Sequence, residues 1–197
     1  KYALMLYEGD GVEVNKAKAA DYFRQASDED HTESTYRYAQ MLYNGDGINI
    51  DKRESANYFK KAAQKGLPEA MYKYSVMLYE GDGVIPQKRQ SALYCKMAAD
   101  NGHVDAMLLY ASKLINGDEI PIDKKESNKY IKMAADLGNI EAMYQYSVIL
   151  ANGFGVKIQK KKSAMYCKKA ADNGSIKAML LYSIKLKTGD GVDVNEE

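Results

Sequence analysis

The chain has 197 residues, of which 46% are hydrophobic and 28% are charged, and its formal net charge is +1. Such a composition is typical of a folded protein with a polar surface, and the near-neutral charge disfavours a general nucleic-acid-binding role. No apolar run approaches the roughly 20 residues that a membrane-spanning helix needs, so no span is predicted in this segment.

Three series of residues recur along the chain at a constant spacing of 36 residues. The glycines are Gly9, Gly45, Gly81, Gly117, Gly153 and Gly189. A tyrosine lies seven residues before each of them, at Tyr2, Tyr38, Tyr74, Tyr110, Tyr146 and Tyr182. A second tyrosine follows thirteen residues after the first five, at Tyr22, Tyr58, Tyr94, Tyr130 and Tyr166. Such a register predicts stacked units that bury their faces against their neighbours.

The repeats are predicted in chain order as one array over residues 1–197. A partial repeat at 1–33 is followed by full repeats at 34–69, 70–105, 106–141 and 142–177, and by a partial repeat at 178–197. Solenoids need polar capping repeats for solubility, and neither end of this sequence resembles one. We therefore expect the chain to be a piece of a longer protein, with further repeats or another domain at both ends.

Each repeat is predicted to contain two helices, here named helix A and helix B. In helix A of the third repeat, Met71, Tyr74 and Leu78 share one helical face. A Gly-Asp-Gly-Val turn follows and leads to helix B, as in residues 55–63. This pattern predicts an all-α protein built of helix-turn-helix units.

The predicted helix ends have specific residues. Asp51 and Asp123 are each followed three residues later by a glutamate, which is the spacing of a helix N-cap. Gly66 and its equivalents in later repeats are predicted to end helix B, and Pro68 suits the first turn of the next helix A.

The order of small residue, tyrosine, small residue and leucine, then Gly-x-Gly-Val, then Ala-x-x-Tyr and Lys-Ala-Ala-x-x-Gly, resembles the Sel-1-like repeat, a relative of the tetratricopeptide repeat. The resemblance covers the whole chain and implies an αα-solenoid, or superhelix, that binds proteins. One departure is Phe154, which interrupts the Gly-Asp-Gly turn of the fifth repeat.

The sequence offers no residues arranged for catalysis. Cys95 and Cys167 lie two repeats apart, too far for a disulfide if stacked repeats advance by about 10 Å each, so thiols and a reducing, cytoplasmic compartment are expected. The endoplasmic reticulum lumen is the alternative. Two histidines and two distant cysteines do not build a zinc site, and His103 is expected in a loop. We predict no enzyme activity, no cofactor and no metal.

A second stripe of helix A, facing away from the predicted core, varies between repeats and mixes apolar residues with amides and lysines. In tetratricopeptide-like solenoids helix A lines the concave surface, so this stripe is predicted to be a partner-binding groove. Its members are Arg37, Gln40, Asn44, Lys73, Val76, Met77, Leu109, Lys113, Gln145, Val148, Leu181 and Ile184. The alternative is that these residues only touch the neighbouring helix A.

The function predicted from this surface is a scaffold or adaptor that binds a protein or peptide segment. The alternative is a structural or regulatory arm of a larger multidomain protein, such as one with a kinase domain, or a subunit of a large assembly. Nucleic-acid binding is disfavoured, although residues 151–187 contain nine lysines and a single acidic residue, Asp172. This uneven charge favours either solvated helix faces or the steering of charged partners.

Overall fold

The computed structural model describes residues 1–192, and within them the secondary structure consists of eleven α-helices without a strand. The helices are α1 (Tyr2–Glu8), α2 (Lys16–Asp28), α3 (Thr32–Asn44), α4 (Lys52–Gln64), α5 (Pro68–Glu80), α6 (Lys88–Asp100), α7 (Val104–Asn116), α8 (Lys124–Asp136), α9 (Ile140–Asn152), α10 (Lys160–Asp172) and α11 (Ile176–Thr188). The odd-numbered helices are helix A and the even-numbered ones helix B. None of these helices combines the length and apolar character that crossing a bilayer requires. The predicted all-α fold is confirmed.

The helices belong to two compact units, one formed by residues 1–103 and the other beginning at Val104. In the first unit, α1 to α6 each pack against the helices that precede and follow them in sequence. In the second unit, α7 to α11 pack in the same way. Packing that is dominated by contacts between chain neighbours is typical of a helical solenoid.

The predicted helix ends are confirmed in atomic detail. The Asp51 side chain accepts a hydrogen bond from the Glu54 amide at 2.8 Å at the start of α4. Asp123 accepts bonds in the same way at the start of α8. Pro68 is the first residue of α5, where a missing amide hydrogen costs nothing.

The two tyrosine series meet inside each repeat. Tyr74 of α5 and Tyr94 of α6 pack edge to face, with ring centroids 4.9 Å apart and planes at 88°. Tyr146 of α9 and Tyr166 of α10 repeat this geometry at 4.9 Å. Edge-to-face pairs contribute about 1 kcal/mol beyond the area they bury. The constant register of the tyrosines therefore reflects a pair that joins helix A to helix B.

A buried serine in helix B makes a second tie between the helices of a repeat. Ser55 donates from its hydroxyl to the carbonyl oxygen of Ala39 in α3 at 2.7 Å. Ser127 and Ser163 make the same bond to the helix A residue 16 positions earlier. Ser91 occupies the equivalent position in α6, but its buried hydroxyl has no partner among the described residues. Of the four repeats with a serine at this position, the one with Ser91 therefore lacks the bond.

This difference predicts unequal effects of the same substitution. Ser55→Ala removes a buried hydrogen bond, so we expect it to lower the free energy of unfolding by about 1 kcal/mol. Ser91→Ala removes a buried hydroxyl that makes no bond, so it is expected to be neutral or slightly stabilising. Urea unfolding of both variants followed by circular dichroism measures the difference. Equal losses of stability would contradict this account of the serine bond.

Candidate partner-binding surface

Most of the predicted groove residues of the first unit lie around one depression between α3 and α5. The depression has a volume of about 100 Å³. Its lining residues are Gln40, Tyr43, Asn44, Phe59, Lys73, Val76 and Met77. Five of these seven residues belong to the stripe predicted from the sequence. Tyr43 and the buried Phe59 are not among the groove residues predicted from the sequence.

Arg37 lies beside a smaller neighbouring depression of about 20 Å³, which it shares with Gln40. Tyr7, Phe23 and Met41 complete the lining. The Arg37 guanidinium also pairs with Glu33 one helical turn earlier, at 2.8 Å. Because both side chains of this pair are well exposed, it contributes little to stability and leaves Arg37 accessible.

In the second unit, the stripe residues on α7, α9 and α11 are partly exposed apolar and amide side chains. Leu109, Gln145, Val148 and Leu181 are half-buried. Ile184 is 57% exposed, and it shares α11 with exposed Ile176, Met179 and Leu180. α11 is the last helix within the described residues, so no following helix B packs against it as in the preceding repeats.

Two residues predicted to face outward are buried. Met77 is only 3% exposed because it packs at the boundary between α3 and α5, where it forms one wall of the depression. Lys113 is only 4% exposed, and its ammonium group pairs with Asp118 at 3.1 Å in the turn after α7. The prediction that Lys113 lies on the open groove surface is therefore wrong, because an acidic residue five positions later neutralises it inside the fold.

Between successive repeats lies an arrangement that the sequence analysis missed, here called the turn clamp. The aspartate of one Gly-Asp-Gly turn binds a tyrosine and a lysine of the preceding repeat. Asp82 accepts from the Tyr43 hydroxyl at 2.8 Å and pairs with the Lys52 ammonium at 2.9 Å. Lys52 also lies 5.2 Å from the centre of the Tyr43 ring. The clamp thus joins α3 and α4 to the turn after α5.

A second clamp in the first unit has the same spacings, 39 residues from tyrosine to aspartate and 30 from lysine to aspartate. Asp46 accepts from Tyr7 at 3.1 Å and from Lys16 at 2.9 Å. In the second unit, Asp190 pairs with Lys160 at 3.1 Å and with the buried Lys185 at 2.8 Å. Asp46, Asp82 and Asp190 therefore connect successive repeats, a role that the recurrence of the turn aspartates at 36 residues could have suggested.

The clamp lowers the pKa of the Asp82 carboxyl, chiefly through the hydrogen bond from Lys52 and also through that from Tyr43. A carboxyl with a depressed pKa in the folded state stabilises the fold above its unfolded-state pKa of about 3.9. This contribution is lost as the pH falls through the lower, folded-state pKa. The clamp is therefore a source of acid sensitivity.

Asp82→Asn tests this assignment. The variant cannot ionise at residue 82, so its stability should fall less than that of the parent chain as the pH drops from about 5 to about 2.5. At neutral pH we expect the variant to be the less stable of the two. Urea midpoints measured across this range provide the test. Parallel pH profiles for the two proteins would be inconsistent with a clamp that depends on the carboxylate.

The histidines and cysteines have structural roles. His31 caps α3, where its Nδ1 accepts from the Ser34 amide at 3.1 Å. His103 occupies the equivalent position two repeats later, in the loop where it was predicted, and stacks on Tyr72 with centroids 4.5 Å apart. Cys95 and Cys167 are buried thiols, as predicted. Within residues 1–192, no three His, Cys, Asp or Glu side chains converge on a position that could hold a metal.

The family model described as Sel1 repeat matches the chain at residues 1–31, 32–67, 68–103, 104–139 and 140–175. The second to fifth matches begin two residues before the repeat boundaries predicted above. No curated protein matches the chain.

Several solved structures are similar. A protective antigen present in uropathogenic Escherichia coli strains, displaying an SLR fold, has a TM-score of 0.89 at 27% identity over 98% of this chain. The alignment covers 41% of that protein, so the present chain spans less than half of its length. A Sel1 repeat protein from Oxalobacter formigenes has a TM-score of 0.87 at 17% identity, over 98% of this chain and 78% of that one.

Proposed function

Because the chain belongs to the Sel1 repeat family, we propose that it is a scaffold or adaptor that binds a segment of a partner protein along the helix A surfaces of its repeats. Sel1 repeat proteins are generally protein-interaction scaffolds, and their solenoid is typically non-catalytic. The finer proposal concerns which surface of this chain binds and what kind of segment it accepts.

The observation that carries the proposal is the depression between α3 and α5. Val76, Met77 and Phe59 supply apolar walls, and amides and a lysine surround them. Apolar pockets provide binding energy, while polar groups at the rim set the register of a bound segment. A volume of about 100 Å³ fits a single side chain, so the partner is expected to insert an anchor residue there.

The test is affinity capture with variants that place a charge in the proposed surface. Val76→Glu changes the depression of the first unit, and Leu181→Glu changes the helix A stripe of the second. The matched controls are Leu93→Glu on α6 and Met165→Glu on α10, which are exposed apolar residues of helix B in the same units. Circular dichroism first establishes that all four variants are folded.

We expect the helix A variants to lose partners that the helix B variants retain, because a carboxylate in an apolar pocket is costly to desolvate. If all four variants capture the same partners as the parent chain, helix A is not the binding surface. The proposal would also fail if the helix B variants alone lost binding.

A second candidate function, a structural arm that packs against another domain, is favoured by α11. Ile176 is 73% exposed, and Leu180 and Ile184 are also largely exposed on the same helix. Loss of a partner on Val76→Glu substitution distinguishes the scaffold from this alternative, since an arm would depend on α11 and not on the α3–α5 depression.

A further inference from the structure

The turn between α9 and α10 is built differently from the other turns. Residue 154 is phenylalanine, whereas the equivalent residue of every other repeat is aspartate, at Asp10, Asp46, Asp82, Asp118 and Asp190. The clamp tyrosine of the preceding repeat is also replaced, because Ile115 stands where the first three repeats have Tyr7, Tyr43 and Tyr79. Both polar partners of the clamp lysine are therefore replaced by apolar residues at one junction.

These replacements leave an open cavity of about 390 Å³ inside the second unit, here called the Phe154 site. Ile115 of α7, Ile149 of α9 and Phe154 form its apolar wall, and Lys124 at the start of α8 lies at its edge. Phe154 is 59% exposed and Ile115 is 45% exposed. Cavities that bind ligands commonly begin at about 300 Å³, so this one accommodates a large side chain.

The site is held in place by a residue found at no other repeat. Asn128 of α8 stands where the equivalent residues are alanines, at Ala20, Ala56, Ala92 and Ala164. The buried Asn128 side chain donates from Nδ2 to the Phe154 carbonyl oxygen at 2.6 Å. This bond fixes the turn although the clamp is missing, so the exposed phenylalanine is held on an ordered backbone.

The charge at the site shows what kind of partner fits it. The equivalent lysines of three other repeats pair with a turn aspartate: Lys16 with Asp46, Lys52 with Asp82 and Lys160 with Asp190. Lys124 has no such carboxylate, and it makes no ion pair within residues 1–192. Lys125, Lys157 and Lys161 are exposed on the adjoining helix starts and turn. A carboxylate from another molecule can therefore take the place of the missing aspartate.

We propose that the Phe154 site binds a linear acidic segment of a partner protein, which inserts one large apolar side chain against Ile115, Ile149 and Phe154 and places a carboxylate on Lys124. This inference rests on the proposed scaffold function and adds a specific site and the chemistry of its ligand. The contact between the partner's apolar side chain and the site supplies most of the affinity. The ion pair with Lys124 selects for an acidic residue next to that apolar side chain.

The experiment uses random 16-residue peptides displayed on phage and selected on the parent chain alone, and the binding of the selected peptides to the Phe154→Asp variant is then compared with their binding to the parent. This variant carries the residue found in the other turns and supplies Lys124 with its carboxylate, so it should fold well. Phe154→Ala serves as a second variant that removes the ring and adds no charge. The affinity of a selected synthetic peptide is then measured by fluorescence anisotropy for these variants and for Val76→Glu, with the helix B variant Leu93→Glu as the matched control.

We expect the selected peptides to share a large apolar residue next to Asp or Glu. Binding should weaken by about tenfold or more in Phe154→Asp and Phe154→Ala, and by up to about fivefold in Lys124→Ala. Binding to Leu93→Glu should match that of the parent, and added salt should weaken binding to both proteins.

Other outcomes overturn the inference. Acidic peptides that bind Phe154→Asp as well as the parent would indicate a general lysine-rich surface. Peptides lost only on Val76→Glu would support the scaffold function and refute the Phe154 site. A dimer seen by analytical ultracentrifugation and abolished by Phe154→Asp would assign the cavity to a second copy of the chain. If no peptide binds any form and lysate capture yields no partner, both proposals fail.

Discussion

Gly83→Ala is expected to destabilise the first unit by about 2–5 kcal/mol, more than Gly66→Ala, although both glycines have a left-handed backbone. The φ angle is +74° at Gly83 and +94° at Gly66. An alanine in this region costs about 1–2 kcal/mol at either position. A Cβ atom at residue 83 would also stand 2.2 Å from the Lys52 carbonyl oxygen, whereas at residue 66 it would meet nothing within 4 Å. Relieving this overlap adds about 1–3 kcal/mol.

The larger cost at residue 83 arises because the turn lies directly on the first residues of α4. To relieve the overlap, the turn has to move away, and Asp82 then leaves Tyr43 and Lys52. Urea unfolding of the two variants measures the difference in stability. A similar loss of stability in both variants would mean that only the strain of the left-handed backbone matters. The turn could then move away from α4 at little cost in free energy.

Asp118→Ala is expected to destabilise the second unit by about 3 kcal/mol, because it removes the carboxylate that pairs with the buried Lys113 ammonium. Lys113→Met is expected to be neutral or stabilising, since helix A carries the buried methionines Met41 and Met77 at the equivalent positions. In the Lys113→Met background, Asp118→Ala should cost less than about 1 kcal/mol, because no charge is left unpaired.

A double-mutant cycle built on urea unfolding at neutral pH measures the coupling between the two residues. The four proteins are the parent chain, the two single variants and the double variant. Additive effects would refute the ion pair as the reason for burying Lys113. A strongly destabilised Lys113→Met variant would show instead that the lysine makes contacts which methionine cannot replace.

The repeat, the helix ends and the core stripe could be predicted from sequence because each depends on local spacing. Tyr74 and Leu78 recur on one helical face, and the Asp51 cap needs only a free amide three residues later. Their partners lie within one helix or one repeat, so a 36-residue period contains the information needed to place them.

The candidate surface was predicted less completely because its residues depend on contacts between helices and across turns. Lysine is usually exposed, so Lys113 was assigned to the groove, and only the turn geometry shows that Asp118 reaches it. The helical periodicity of α5 predicted that Met77 faces away from the core. In the structure it is buried because it lies between α3 and α5. The sequence showed Phe154 where the other turns have aspartate. The cavity beside it could not be predicted, because it depends on where the fold places Ile115 and Ile149.

The spacings of the turn clamp also bear on how an array of this kind changes length. Tyr7 precedes its aspartate by 39 residues and Lys16 does so by 30. Excising residues 11–46 would place Tyr7 39 positions before Asp82 and leave Lys52 30 positions before it. A clamp would then form from Tyr7 of the first repeat, Lys52 of the second and Asp82 of the third. A gain or loss of whole periods thus keeps the spacings of the clamp at this seam, whereas a cut of any other length shifts them. Recombination between repeats can lengthen or shorten such a protein in steps of 36 residues without a compensating mutation.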